Sequence, residues 1–528
     1  MMTSIGISGN TMDDQQNGNE SKNFEEAILA TKFGLFNIIL LASCMIWFTA
    51  SLIETTTSGV ILPIAQCDLD LDPNRKGWLT SITFFGMIFG ATIWGIIGDI
   101  YGRKIIISGG VFLLGIFNIV YGFSTSYYML VTLKFFGGVI ASGPVAAYMV
   151  YVCEFHGVKY RVRVLMLMSA FISIGAVNVM VIALLILTRP INFTIGSTEY
   201  HSWQVFFWAC SIIGLSGGFI SLFLPESPKF LMSLGRNEEA LRVFQRIYRI
   251  NTRKSSDSYP IKSLKDESKN ASENQQNVVY IAEHHGKAEK SPTSVIWKAF
   301  SQFLPLFRPP YLGKCLLAGG IEFFLLLGAN TMRLWMPQVF ALLSDSDSND
   351  GICEHIVQPE ISKFDFTNHT DDNVCQVLND KSIYVNSIVV QAVGVLGVFL
   401  AVSLVTTVGN KTILIVTSMV ASVATVAIYF AKNSVTIVIL YSLSVGIAFS
   451  GQASFNSIVP NLVPTAFRFT VISVSVTLGR LGSMLGNLIF PNLMQLGCWQ
   501  PFITIGLAFF IPAVLCLFLP RTTKQPLS

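Results

Sequence analysis

The chain has 528 residues, of which 52% are hydrophobic and only 12% charged, with a mean hydropathy of +0.57 and a formal net charge of +4. That balance excludes an ordinary soluble globular protein, in which charged residues make up about a quarter. No P-loop is present and the six histidines fall in no metal-ligand spacing, so no enzyme, cofactor, metal or nucleic-acid partner is expected.

In chain order, residues 1–33 come before the first oily run, and of these 1–23 are polar and lack the apolar core of a signal peptide. They are read as a cytoplasmic segment. Apolar runs long enough to cross roughly 30 Å of hydrocarbon follow over approximately 34–62, 78–98, 105–123, 129–151, 164–187 and 204–224. Six more cover 314–340, 383–406, 411–430, 434–458, 469–495 and 502–519. The expected fold class is an all-α membrane protein of about twelve transmembrane helices in two six-helix pseudo-symmetric halves. The halves are 34–224 and 314–519, with a polar divider at 225–313, an outer loop at 342–381 and a tail at 520–528. Most of the 35 basic residues fall on one side if the amino terminus is cytoplasmic, which places both termini there.

Within the divider, Leu241, Phe244, Ile247 and Tyr248 recur at helical spacing opposite Arg242, Arg246, Arg249 and Arg253. This predicts an amphipathic helix lying on the inner face of the first bundle or on lipid headgroups. From about 255 to 291 the composition predicts disorder. The outer loop is acidic and carries "NHT" at Asn368, while "NFT" occurs at Asn192, and both are candidate glycosylation sites. Cys353 and Cys375 in that loop are a candidate disulfide, with Cys67 and Cys498 near the same face as competitors.

An ionised side chain at mid-bilayer costs about 2.5–3.5 kcal/mol, so each one inside a span needs a partner, water or a function. Five occur: Glu54, Lys134, Glu322, Arg333 and Arg480. Glu54 shares a helical face with Trp47, Ser51 and Ser58, and Glu322 shares one with Arg333. Two readings stand. In one, Glu54 is a proton or cation site and Arg333 an anion contact, in a pocket shaped by Trp47, Trp335, Tyr441 and Gln452. In the other, Glu54 and Lys134 form a structural ion pair while Glu322 and Arg333 satisfy backbone groups or each other's neighbours, although Lys134 lies close enough to the outer interface to snorkel. Arg480 is either a binding or coupling group or a brace to carbonyls of a neighbouring helix.

The stretch "GIIGDIYGRK" at 95–104 resembles the signature G-x-x-x-D-(R/K)-x-G-R-(R/K) of the major facilitator superfamily at Gly95, Asp99, Gly102, Arg103 and Lys104, and departs from it at Ile100. The resemblance implies a gate that latches the two halves. "EFHGVKYR", with Glu154 and Arg161, and "PESPKFL", with Glu226, are similar to elements of sugar and organic-ion transporters. "NLVPTAFR", ending at Arg468, and "VTTVGNK" at 405–411 look like their second-half counterparts, but Asn461 and Thr406 stand where acids would be. "FEEAILATKFGLFN", "GVILPIAQCDLDL" and "HSWQVFF" resemble the synaptic vesicle glycoprotein 2 family more narrowly.

These resemblances imply secondary active transport of a small polar or charged organic solute by alternating access, with helices 1, 4, 7 and 10 lining the cavity and protons as a candidate coupling ion. They also imply a vesicle or plasma membrane location. The alternative is a non-transporting vesicle glycoprotein or receptor derived from a transporter, which the changes at Ile100, Thr406 and Asn461 favour.

Overall fold

The computed structural model describes residues 21–265, 309, 311–344, 380–459, 462–463 and 468–519. A short helix α1 (Phe24–Ala30) precedes the first long one, α2 (Leu35–Val60). After a single turn, α3 (Leu62–Ala65), come α4 (Pro73–Tyr101), α5 (Arg103–Tyr121), α6 (Tyr127–Glu154) and α7 (Val158–Ile186). A hairpin of β1 (Phe193–Ile195) and β2 (Thr198–Tyr200) leads into α8 (Ser202–Leu222), which ends the first half. The divider holds α9 (Pro228–Ser233) and α10 (Asn237–Thr252).

The second half contains α11 (Leu312–Ser344), α12 (Lys381–Val408), α13 (Asn410–Ala427), α14 (Ser434–Tyr441), α15 (Ile447–Ile458), α16 (Arg468–Leu496) and α17 (Trp499–Leu517). A π-turn at Ser442–Gly446 joins α14 and α15 into one span. Among the described residues, twelve spans are long and apolar enough to cross a membrane, in the places the hydropathy predicts. The two halves repeat a local detail. Gly102 and Gly409 each start the helix after the second and eighth spans with φ of 90° and 86°, a backbone shape open to glycine and strained for other residues.

The chain divides into two compact units: Met1–Leu40, Tyr151–Val162 and Pro225–Lys287 form one, and Leu41–Val150, Arg163–Leu224 and Ala288–Ser528 the other. The smaller unit is built around α1. Asn23 caps α1 by accepting from Glu26 N at 2.9 Å, and Phe24, Ala27 and Ile28 pack into one cluster with Leu231, Phe244 and Tyr248. Phe244 and Tyr248 of the apolar stripe of α10 are thus covered by α1 and α9.

Residues 255–265, where the composition predicts disorder, are docked instead. Tyr259 is buried, meets the Tyr248 ring edge-on at 5.5 Å and donates to Ala27 O at 2.7 Å, while Lys22 and Leu264 pair as an isolated bridge. One aromatic ring in an otherwise polar stretch docks it; the remainder, 266–291, lies outside the described residues.

Tyr259→Ala is predicted to expose Arg253, Lys254 and Lys262 to limited trypsin digestion while the membrane spans stay intact. Tyr259→Phe, which loses only a hydrogen bond worth about 1 kcal/mol, should be cut at an intermediate rate. Equal cleavage of all three proteins would show the segment is undocked.

Candidate transport site

In the first half, helical periodicity turns Glu54 of α2 toward Lys134 of α6. Both side chains are fully buried, with Lys134 Nζ 3.3 Å from Glu54 Oε1. Lys134 also donates to Thr57 Oγ1 at 2.8 Å, one turn along α2, and lies 4.3 Å over the Tyr121 ring and 5.1 Å over that of Phe207. Tyr121 donates to Glu54 Oε1 at 3.0 Å, and Glu54 Oε2 has no partner. Gly137 leaves room for this cluster, since a Cβ there would lie 2.6 Å from Glu54 Oε1.

Lys134 therefore does not snorkel: a carboxylate, a hydroxyl and two ring faces hold it inside. Nor does the whole face of α2 address the charge. Trp47 donates to Gly217 O at 3.1 Å and stacks on Tyr148, packing α2 against α8. Ser51 and Ser58 are buried.

The second half differs. Glu322 on α11 is buried and accepts from Gln452 Nε2 on α15 at 2.7 Å, and its other oxygen has no partner. Arg333, eleven residues on, is also buried, with its guanidinium 5.9 Å over the Phe449 ring and its Nε unpartnered. Trp335 packs on Phe490 and Tyr441 on Phe340, at ring separations of 5.2 and 5.3 Å.

Arg480 on α16 donates to Met87 O on α4 at 2.8 Å and so braces one half to the other. Ser81 to Met484 O at 2.9 Å and Lys76 to Gln338 at 3.4 Å join the halves further along α4. At Gly59 an added Cβ would lie 2.3 Å from Leu334 O, so α2 and α11 touch backbone to backbone. These contacts run from the middle of α4 toward the end opposite the 95–104 turn.

Among the gate candidates, Arg161 donates to Glu25 at 2.9 Å and to the carbonyls of Cys153 and His156, closing the α6–α7 turn onto α1. Ser227 donates from its hydroxyl to Glu154 and from its backbone to Glu226 at 2.9 Å, and Tyr151 donates to Pro225 O. Burial lowers the pKa of His156, which lies in the turn between spans. Arg103 donates to Gly98 O at 3.4 Å, Gly95 meets nothing with its missing Cβ, and Ser108 donates to Lys104 O at 2.9 Å. The side chains of Asp99, Ile100 and Arg468 lie outside the described residues, as do Asn368, Cys353 and Cys375. Asn192 is exposed beside the hairpin, and Cys67 and Cys498 are both disulfide-bonded.

Tyr121, Thr57, Phe449, Ser227 and Glu25 were absent from the sequence-derived candidates. Thr57, three residues after Glu54, Ser227, beside Glu226 in "PESPKFL", and Glu25, in "FEEAILATKFGLFN", carried a local signal. The rest are brought in by tertiary packing.

Residues 35–304 match the family described as sugar (and other) transporter. The chain belongs to that family, within the major facilitator superfamily. It is 25% identical over 537 residues to organic cation/carnitine transporter 7 of Arabidopsis thaliana, covering 97% of each chain. It is 30% identical over 203 residues to synaptic vesicle glycoprotein 2C of Mus musculus, covering 38% of this chain and 28% of that protein. The likeness thus spans under a third of the vesicle relative. The fold matches the crystal structure of a D-xylose-proton symporter with a TM-score of 0.64 at 14% identity, covering 93% and 99% of the two chains. A partially occluded inward-open form of the E. coli xylose transporter matches with a TM-score of 0.62 at 12% identity, covering 92% and 100%. This member of the transporter family is therefore a multi-pass membrane protein of the major facilitator fold.

Within it, removing one partner of the Glu54–Lys134 pair strands the other as a buried charge, at a predicted cost of about 3–5 kcal/mol. Thermal unfolding in detergent should show Lys134→Met and Glu54→Gln each less stable than the Glu54→Gln/Lys134→Met double variant. Additive losses in the double variant would show that the two side chains do not interact.

Proposed function

We propose that this chain is a proton-coupled secondary active transporter of a small polar or charged organic solute, with the Glu54–Lys134 pair as its proton site. One observation carries the reading: a carboxylate inside the membrane, ion-paired across two helices, keeps one oxygen without a protein partner. A proton taken up there dissolves the ion pair and loosens α2 from α6, which links protonation to helix packing. A relative that reads as an organic cation/carnitine transporter over nearly its whole length supports a charged organic solute, and the proton-symporter fold neighbours support the coupling.

With the 95–104 turn in the cytoplasm, together with both termini, contacts between the halves close the outer end. This corresponds to an inward-facing state of alternating access. Residence in a vesicle or plasma membrane follows from the same resemblance. A non-transporting vesicle glycoprotein is the second reading, favoured by Ile100, Thr406 and Asn461, each replacing a charged residue of the gating motifs.

The test is uptake into proteoliposomes under an imposed pH gradient, with L-carnitine, tetraethylammonium and D-xylose as probes. Wild-type protein should accumulate at least one probe with an acid-side-driven rate. Glu54→Gln should lose accumulation while retaining exchange at equal concentrations, because solute binding survives and proton uptake does not. Unchanged pH dependence in Glu54→Gln would remove Glu54 as the coupling site. Absence of saturable uptake for every probe would favour the non-transporting reading.

A further inference from the structure

Two ionisable side chains of the second half remain unexplained by packing. Among the described residues neither Glu322 nor Arg333 has an ion-pair partner, although both are buried, at 2% and 3% exposure. Leaving an acid and a base uncompensated in the same bundle is costly, and a bundle selected only for stability would pair or replace them. The first half shows what compensation looks like: Glu54 and Lys134 sit 3.3 Å apart with a hydroxyl and two rings around them.

The positions of Glu322 and Arg333 are correlated. They lie on one face of α11, with about 16 Å of helical rise between their Cα atoms. Side chains on a helix lean toward its amino terminus, and the longer Arg333 side chain reaches further back along α11 than that of Glu322. Both charges also meet the same neighbouring helix: Glu322 touches Gln452 and Arg333 touches Phe449, three residues apart on α15. The two contacts on α15 are one helical turn apart. Gln452 leads on to Asn456, to which it donates at 3.3 Å and which is exposed, a polar path from the acid toward the surface of α15.

The backbone near this pair is irregular, as expected where a membrane helix must receive a ligand. Pro337 lies inside α11 four residues after Arg333, so the Arg333 carbonyl loses its helical donor. On the facing span the π-turn Ser442–Gly446 ends three residues before Phe449.

We propose that the second half holds a binding site for a zwitterionic solute, in which Glu322 receives the cationic end and Arg333 the carboxylate. This rests on the transporter reading above and narrows its substrate class. Net charge on such a solute is zero, so it enters the bundle without adding an uncompensated charge, and its two ends neutralise the two that the protein leaves open. Gln452 is a positioning residue here, holding one Glu322 oxygen so that the other points at the ligand.

Two readouts on the purified full-length protein test this. The first is ligand-induced thermal stabilisation in detergent, the second uptake into proteoliposomes. Glycine betaine and γ-butyrobetaine are the zwitterions, choline and butyrate the singly charged counterparts, and D-xylose the neutral control. A zwitterion should stabilise the protein and the singly charged compounds should not. Glu322→Gln and Arg333→Gln should each weaken zwitterion binding about tenfold to hundredfold, the loss of one charge-assisted contact. Glu322→Asp and Arg333→Lys should retain part of it, which separates a binding role from a folding defect.

Stabilisation and uptake by D-xylose alone, unaffected by Glu322→Gln or Arg333→Gln, would overturn the zwitterion site and leave the transporter reading standing. Zwitterion stabilisation without uptake of any compound would support the site and overturn transport. Equal response to choline or butyrate as to the zwitterions would overturn the site.

Discussion

Everything in this protein turns on how charge is carried through a layer that does not solvate it. The larger unit buries Glu54, Lys134, Glu322, Arg333 and Arg480 within its spans and treats them in three ways. Glu54 and Lys134 neutralise each other. Arg480 is satisfied by a backbone carbonyl of the other half. Glu322 and Arg333 are held apart, each against one residue of α15. The first arrangement joins two helices within a half, the second joins the halves, and the third leaves electrostatic energy that a ligand can release. A transport cycle needs all three, because substrate, coupling ion and conformation must each change the stability of a different contact.

Arg480 illustrates the economy. Its hydrogen bond to Met87 crosses between the halves near the middle of α4, and small residues around it allow α16 to approach, Gly482 so closely that a Cβ there would lie 2.2 Å from Phe323 O. In the proposed cycle, rocking of one half against the other breaks that bond, which makes Arg480 a brace of the closed arrangement. Gly59 works similarly by steric fit, placing α2 against α11 at backbone distance.

Much of this was legible in the sequence. Hydropathy located the spans because the bilayer forces continuous apolar runs, and charge within those runs marked Glu54, Lys134, Glu322, Arg333 and Arg480 directly. The paired glycine turns at Gly102 and Gly409 could be read because a positive φ demands a residue type. What stayed hidden depended on contacts distant in sequence. Tyr121 is an ordinary aromatic at the end of an apolar helix until α5 folds it onto Glu54. Trp47 shares the Glu54 face at helical spacing, yet its indole is drawn to Gly217. Tyr259 lies in a polar stretch whose composition signals disorder, and α1 together with Tyr248 of α10 supplies the surface that orders it.

The central claim is that the two halves rock about these buried charges. Electron–electron double resonance between spin labels at Tyr101 and Val408, exposed residues ending the second span of each half, reads that motion directly. Alternating access predicts a broad or two-peaked distance distribution whose populations shift with pH and with an added transported solute. A single narrow distance, unchanged by pH and by every solute tried, would contradict the account and leave a rigid protein that has kept a transporter's fold without its cycle.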